Sequence, residues 1–499
     1  MKLPPRPPLI QANPRPPRRL WRWVRRGALA CAVLAALLAG PFWWFYLRDE
    51  PPPDDADLLA RNAAVPDGQN GFVQIQKLPR ASLDLYRFAR SQGMAEAELD
   101  DLITKQNPGD ALVDAYLAET QPILAQADTI ATLPHFDFAG ELELQNAAAP
   151  LEPLLNLAKT LQLSSAHARQ KGDWATAARD AIRLHNWAGL IARGQVPAIV
   201  LLTASVIDGF SAEAGNALNV PALPAAERDA VAKTWSVPID WMGGQQRSLA
   251  LEYQFFRHLE DELKHERNPF RLLGMSTPGE RFVIDPDSDP GSPGHPWLSS
   301  FIGTEIFSWS LQLNTTRREA AEYVRNYLRA FTPTFSAKNF PANQRASSSY
   351  DIQNGASPSV REMLIPNFGG RIVLENFMPS ANPATNTSPY LATASDRLIQ
   401  TSFALRHYYD DHRTLPSTLA ALVPEYLPAV PVDPFDGQPL RYDPARGLIY
   451  SVGTDLKDNG GSKSVDLPHE AKEYPDPLTD QHQPTLVLRF QNSAPAATP

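Results

Sequence analysis

Residues 390–461 read YLATASDRLIQTSFALRHYYDDHRTLPSTLAALVPEYLPAVPVDPFDGQPLRYDPARGLIYSVGTDLKDNGG, and this stretch decides the fold class. Its first third is helical: Leu391, Leu398, Ile399, Phe403, Leu405 and Tyr409 make a broad apolar stripe at helical spacing. The remainder is extended. Pro431, Pro434 and Pro439 fix φ and cut the chain into short pieces. Asp436-Gly437 marks a tight turn, and 440–442 and 448–451 pair as a hairpin across residues 443–447. Further on, residues 485–490 alternate and return as another strand. The expectation is an α+β chain whose C-terminal module, 385–492, packs one helix on a small antiparallel sheet and folds by itself, followed by a disordered tail, 493–499.

The loop after the hairpin, 452–466, holds Asp455, Asp458, Asp466, Asn459, Gly453, Gly460 and Gly461. Hard cations take six to eight oxygens, many from backbone carbonyls, on a chain that glycine lets wrap. The same composition also serves a solvated turn.

The ordered motifs of this region resemble the globular part of the major pseudopilin of type II secretion, pseudopilin G. They are Ala404-Leu405 with Tyr408, Leu415-Pro416, Leu422-Val-Pro-x-Tyr-Leu427, Asp433-Pro434, Gly437-Gln-Pro439, Arg441-Tyr442 and Tyr450-Ser-x-Gly-x-Asp455. The resemblance implies a helix-on-sheet domain that binds Ca2+ through the Asp455 carboxylate, the Val452 carbonyl and a later aspartate, Asp458 or Asp466. The Gly-Phe-Thr-Leu-Ile-Glu opening of fibre-forming members is not found ahead of this helix, so pseudopilus assembly in the usual way is not expected.

Upstream, 58–384 reads as a mainly helical domain. Leu154, Leu157 and Leu161 follow helical spacing behind Pro153. Gly172-Asp173 breaks that helix, and Asp173 is placed to cap the next, which runs through Trp174, Ala177, Ala178, Ala181 and Leu184. Further helices are expected over 198–218, 222–235, 243–268 and 301–331, with Pro/Gly-rich loops at 269–300 and 332–388. The Ala…Gly-Asp-aromatic…Ala spacing around 172–174 is similar to that of helical hairpins in uncharacterised membrane-anchored bacterial proteins, and it implies no activity.

At the N-terminus, residues 27–47 (GALACAVLAALLAGPFWWFYL) are 21 uncharged residues, enough to span a bilayer core of about 30 Å. An aromatic belt, Phe42 to Tyr46, closes the segment. Residues 1–26 hold eight Lys or Arg and no acid; the whole chain is −9, so the rest carries −17. Positive flanks stay cytoplasmic, so a basic cytoplasmic tail, a transmembrane helix, a stiff acidic linker at 48–57 and an extracytoplasmic body are expected at the inner membrane. A body this acidic is a poor partner for nucleic acid. The single cysteine, Cys31, rules out an intrachain disulfide and any multi-cysteine zinc site.

No G-x-S-x-G, H-E-x-x-H, P-loop or G-x-G-x-x-G motif occurs. His258, Asp261, Glu262 and His265 share a helix face, but RHLEDELKHER is charged all round and reads as a solvated face. Asp410, Asp411 and His412 are expected to face water, and Trp174, Trp187, Trp235 and Trp241 to be core. His135 with Asp137 is a weak acid/base pair. The function expected is therefore a non-enzymatic, single-pass membrane protein. Its calcium-stabilised module would serve protein interaction in envelope or secretion assemblies. The alternative is an envelope hydrolase with its site in the helical domain.

Overall fold

A computed structural model describes residues 18–42, 48–59, 65–79, 83–93, 110–139, 149–263, 311–340, 366–377, 383–461 and 484–488, in two compact units. Twelve helices and one three-stranded antiparallel sheet are present among the described residues, a mostly helical chain with a small β element.

The first unit draws on residues 1–53, 267–317 and 349–373. Helix α1, Arg18–Phe42, includes most of the apolar run and part of the basic flank, with Trp23, Leu29, Val33, Leu34 and Leu37 exposed. Residues 43–47 of the expected span lie outside the described residues. Asp49 accepts hydrogen bonds from the Asn314 and Thr315 amides, at 2.8 and 3.0 Å. A carboxylate so placed satisfies amides that a helix start leaves without partners.

The second unit comprises 54–266, 318–348 and 374–499. Its helices are α2 (Gly71–Ile75), α3 (Leu85–Ser91), α4 (Asp110–Ala131), α5 (Leu151–Gln170), α6 (Trp174–Arg193), α7 (Ala198–Leu218), α8 (Ala225–Trp235), α9 (Trp241–Leu263) and α12 (Pro383–His412). Helices α10 (Leu313–Ala330) and α11 (Phe368–Phe377) begin in the first unit and end in the second.

The α5–α6 hairpin forms as its sequence dictates. Gly172 takes φ 75°, and the Asp173 carboxylate accepts the Thr176 amide at 3.1 Å. Ala168, Ala177, Ala178 and Ala181 are buried between the helices, and the Ser165 hydroxyl donates to the Ala177 carbonyl at 3.1 Å. Small side chains permit that close approach. Of the helices expected, 198–218 is recovered as α7, α8 begins three residues later than expected, and α9 begins two residues earlier, with 264–268 of its expected range outside the described residues. Helix α12 starts earlier than expected and carries Pro389 inside.

Among the described residues, α7 is long and apolar enough for a membrane span by length and composition. It is nonetheless a core helix: Val200, Leu201, Ala204, Ile207 and Leu218 are buried. The basic-flanked α1 and this mid-chain helix are thus different features.

Strands β1 (Arg441–Asp443), β2 (Leu448–Tyr450) and β3 (Thr485–Val487) lie in that order. Arg441 pairs with Tyr450 and Asp443 with Leu448; Leu448 pairs with Val487 and Tyr450 with Thr485. Two cores fill this unit. One gathers Phe72, Phe136, Trp187, Ile191, Val200, Trp241 and Phe255. The other joins Ala178 of α6, Ala214 of α7 and Trp235 of α8 to Leu398, Ile399 and Phe403 of α12 and to Ile449 and Leu486 of the sheet. Helix α12 is apolar on more than one side, and its far side is buried by α6–α8, so the module shares its core with the helical body.

Candidate functional site

Among the described residues, chemistry-bearing side chains gather in the C-terminal loop and in a buried cluster between α6, α7 and α12.

In the loop, buried Asp433 is the organiser. Its carboxylate accepts the Phe435 amide (3.0 Å), the Ser451 hydroxyl (2.9 Å) and the Val452 amide (2.8 Å). These bonds tie the Asp-Pro turn to the end of β2. Beyond Val452 the chain turns through Gly453 (φ 72°), Leu456 (φ 59°), Gly460 (φ 77°) and Gly461 (φ 76°). Asp455 accepts the Lys457 amide and the Asn459 side-chain amide, each at 3.0 Å. Asp458 accepts the Tyr450 hydroxyl at 2.9 Å and the Gly460 amide at 3.0 Å, and its other oxygen lies 3.7 Å from Arg441 Nε. Asp455 can still offer lone pairs to a cation. Asp458 already faces a guanidinium and is the poorer ligand. Val452 is buried with its amide committed to Asp433, and Asp466 lies outside the described residues.

The second gathering was not foreseen from the sequence. His185 of α6, Asp208 of α7 and Asp396 of α12 meet with donor atoms within 4.8 Å of one another. They are 4%, 0% and 6% exposed. His185 Nδ1 lies 3.3 Å from Asp208 Oδ1 and 3.6 Å from Asp396 Oδ1. Neither approach is aligned as a hydrogen bond: Nδ1, Asp208 Oδ2 and Asp396 Oδ1 are buried without partners.

The surrounding groups hold the cluster in place. Trp241 Nε1 donates to Asp396 Oδ2 at 3.3 Å, and the Ser211 hydroxyl donates to Asp208 Oδ1 at 3.0 Å. The imidazole lies against the Trp235 ring, centroids 4.5 Å apart. Burial, reinforced by Asp208, pushes the Asp396 carboxyl well above its usual range. Burial also works against a charged imidazole, but the two carboxylates outweigh it and raise the proton affinity of His185. The set can hold a proton or a cation tightly.

One sequence signal pointed here: Asp208 stands in the apolar run Val206-Ile-Asp-Gly-Phe210, where a buried charge needs a partner. The partners come from distant helices that no spacing rule connects. Trp187, Trp235 and Trp241 are core as expected, although Trp241 also orients Asp396.

The other candidates resolve more simply. His258 and Glu262 are half exposed and 3.5 Å apart, a solvated pair, while His265 lies outside the described residues. Asp137 accepts the Gln195 amide at 2.7 Å, and Asn70 brackets the Asp137 backbone from both sides, so the His135–Asp137 contact belongs to loop packing. Asp410 departs from the expectation of a water-facing acid. It joins Arg228 of α8 to Arg406 of α12, because the surface it was given to water is covered by α8. Asp411 accepts the Tyr426 hydroxyl, and His412 stacks on Tyr408. A small surface pocket lined by Leu202, Ser205, Trp241, Gln245, Ser388 and Pro389 shares Trp241 with the buried cluster. No protein-family profile, no curated protein and no solved structure matches the chain.

Proposed function

We propose that this is a non-enzymatic, single-pass protein of the inner membrane. Its N-terminus is cytoplasmic, its body is extracytoplasmic, and its pseudopilin-like C-terminal region serves protein interaction in envelope or secretion assemblies. The observation that carries the reading is α1: a helix behind a basic flank, with Leu29, Val33, Leu34 and Leu37 turned outward. Such residues in water would leave a large apolar surface uncovered, whereas in lipid they are solvated. The acidic 48–57 segment then falls on the far side, as the positive-inside rule requires. Calcium belongs to the proposal through Asp455, which retains free lone pairs in a loop already bent by three glycines.

The test is a topology reporter joined after Pro499 together with affinity capture from solubilised membranes, with and without calcium. Activity of the reporter outside the cytoplasm and calcium-dependent recovery of envelope proteins are expected. A cytoplasmic reporter or capture of the chain alone refutes the reading. Calcium at a hundredfold excess over Kd should stabilise the loop by about 2.7 kcal/mol, a gain that Asp455→Ala removes.

The hydrolase reading keeps one specific observation, the convergence of His185, Asp208 and Asp396 in the helical body. Hydrolysis of ester, amide or phosphate reporter substrates by the purified chain, abolished by Asp208→Asn, would favour it over the interaction reading.

A further inference from the structure

The buried cluster supports an inference that goes beyond the interaction reading and is separate from the calcium loop. We propose that His185 Nδ1, Asp208 and Asp396 Oδ1 bind one divalent transition-metal ion of the zinc class, which fastens α12 to α6 and α7.

The geometry is that of a coordination shell with the ion left out. A zinc ion holds nitrogen at about 2.0–2.1 Å and carboxylate oxygen at about 2.0–2.2 Å, so neighbouring ligands of a tetrahedral site stand about 3.4 Å apart. The observed Nδ1–Oδ1 separations are 3.3 and 3.6 Å. Asp208 Oδ2, the second oxygen of the same carboxylate, has no hydrogen-bond partner, and neither do Nδ1 and Asp396 Oδ1, in a molecule where buried polar atoms ordinarily find one. A dipositive ion would satisfy all three at once and cancel the charges of the two carboxylates.

A proton alone does less. A shared proton needs a short, aligned oxygen–oxygen or nitrogen–oxygen bond, and the contacts within the cluster lack that alignment. Calcium and magnesium are ill matched, because both prefer shells built from oxygen, and here an imidazole nitrogen is central.

The outer contacts are those of a built site. Trp241 holds the outer oxygen of Asp396, Ser211 holds Asp208, and the Trp235 ring packs against the imidazole. Arg397, the cation adjacent in sequence to Asp396, donates to the Val432 carbonyl at 2.6 Å, and its charge still acts on the Asp396 carboxylate. The three ligands are buried, so the ion is held away from bulk solvent at the junction of α6, α7 and α12.

The experiment uses the full chain purified in detergent, stripped with chelator and reloaded with Zn2+ or Co2+. One ion per chain by elemental analysis, a raised melting temperature, and a visible absorption band of four-coordinate Co2+ are expected. Asp208→Asn and Asp396→Asn should lose the ion and the band. Ser211→Ala, which removes only an orienting donor, should weaken binding about tenfold while the chain stays folded. Stripped wild-type chain that remains folded, takes up no ion and shows no shift overturns the proposal. So does stoichiometric binding that both Asp variants retain, since the ion then sits elsewhere. Asp455→Ala should leave the Zn2+ response intact, so failure of the calcium loop and failure of this site are read separately.

Discussion

Asp433 has no exposed surface, and three donors converge on its carboxylate. Removing a charged acceptor strands those donors where water does not reach. Asp433→Ala should therefore cost about 3 kcal/mol, with the midpoint of denaturant unfolding falling and its slope unchanged. Three residues on in the same turn, Asp436 answers to pH. Burial raises its carboxyl, but the Arg441 guanidinium and the Gln438 amide more than compensate, and the folded value lies below the usual carboxylate value. The sign follows: Asp436 contributes stability that is complete above the unfolded value and is lost as pH falls through the folded one. Asp436→Asn should melt below wild type near neutrality, and the gap should close as pH falls through the usual carboxylate value and on through the lower folded one. An equal gap at all pH values would exclude the ion pair as the cause. The role of Asp433 was only half legible: Asp-Pro announced a turn, but the depth of burial depends on β2 returning over it. His185, Asp208 and Asp396 were not legible at all as a group, because helix packing between distant segments brings them together.

At the scale of elements, local rules carried furthest where a break and a cap adjoin. Gly172-Asp173 marks the α5–α6 corner, and the structure puts a left-handed glycine and a capping carboxylate there. The hairpin was legible to within a residue: β1 takes in Asp443, paired with Leu448, which the expected strand 440–442 left in the turn. Helix ends were less so: α12 runs through Pro389 because a proline in its opening stretch sacrifices few internal bonds. The end of α6 holds a test that composition would not suggest. Gly194 has an ordinary backbone, so alanine is permitted there by φ and ψ, yet a methyl group would overlap the Phe136 carbonyl. Gly194→Ala should force the 136–138 segment away from α6 and destabilise the chain by about 1–3 kcal/mol, seen as a lower melting temperature. Asp173→Ala, which removes one cap bond at an exposed corner, should cost about 1 kcal/mol. If the two variants melt alike, the close approach at Gly194 is not the constraint described.

At the scale of the whole molecule, the sequence divided the chain at residue 384, whereas packing joins α12 to both sides of that line. The motifs of 390–461 specify how α12 meets the sheet; they carry no information about Ala178, Ala214 or Trp235, which cover its other side. A fragment of 385–492 should consequently lack a cooperative melt even with calcium present, while a chain of residues 48–499 should unfold through one transition for α12 and α5–α8 together. Separate transitions would restore an independent module. The shared core also has a mechanical meaning. A partner tugging on the three-stranded sheet pulls along α12, and α12 lies against α6, α7 and α8 over a seam of alanines and aromatic rings. Load on such a seam is shear, borne by many side chains in parallel, whereas load on the short β1–β2 ladder peels one pair at a time. Under tension the sheet should give way first and α12 last, so the strut that links grip to body outlasts the grip itself.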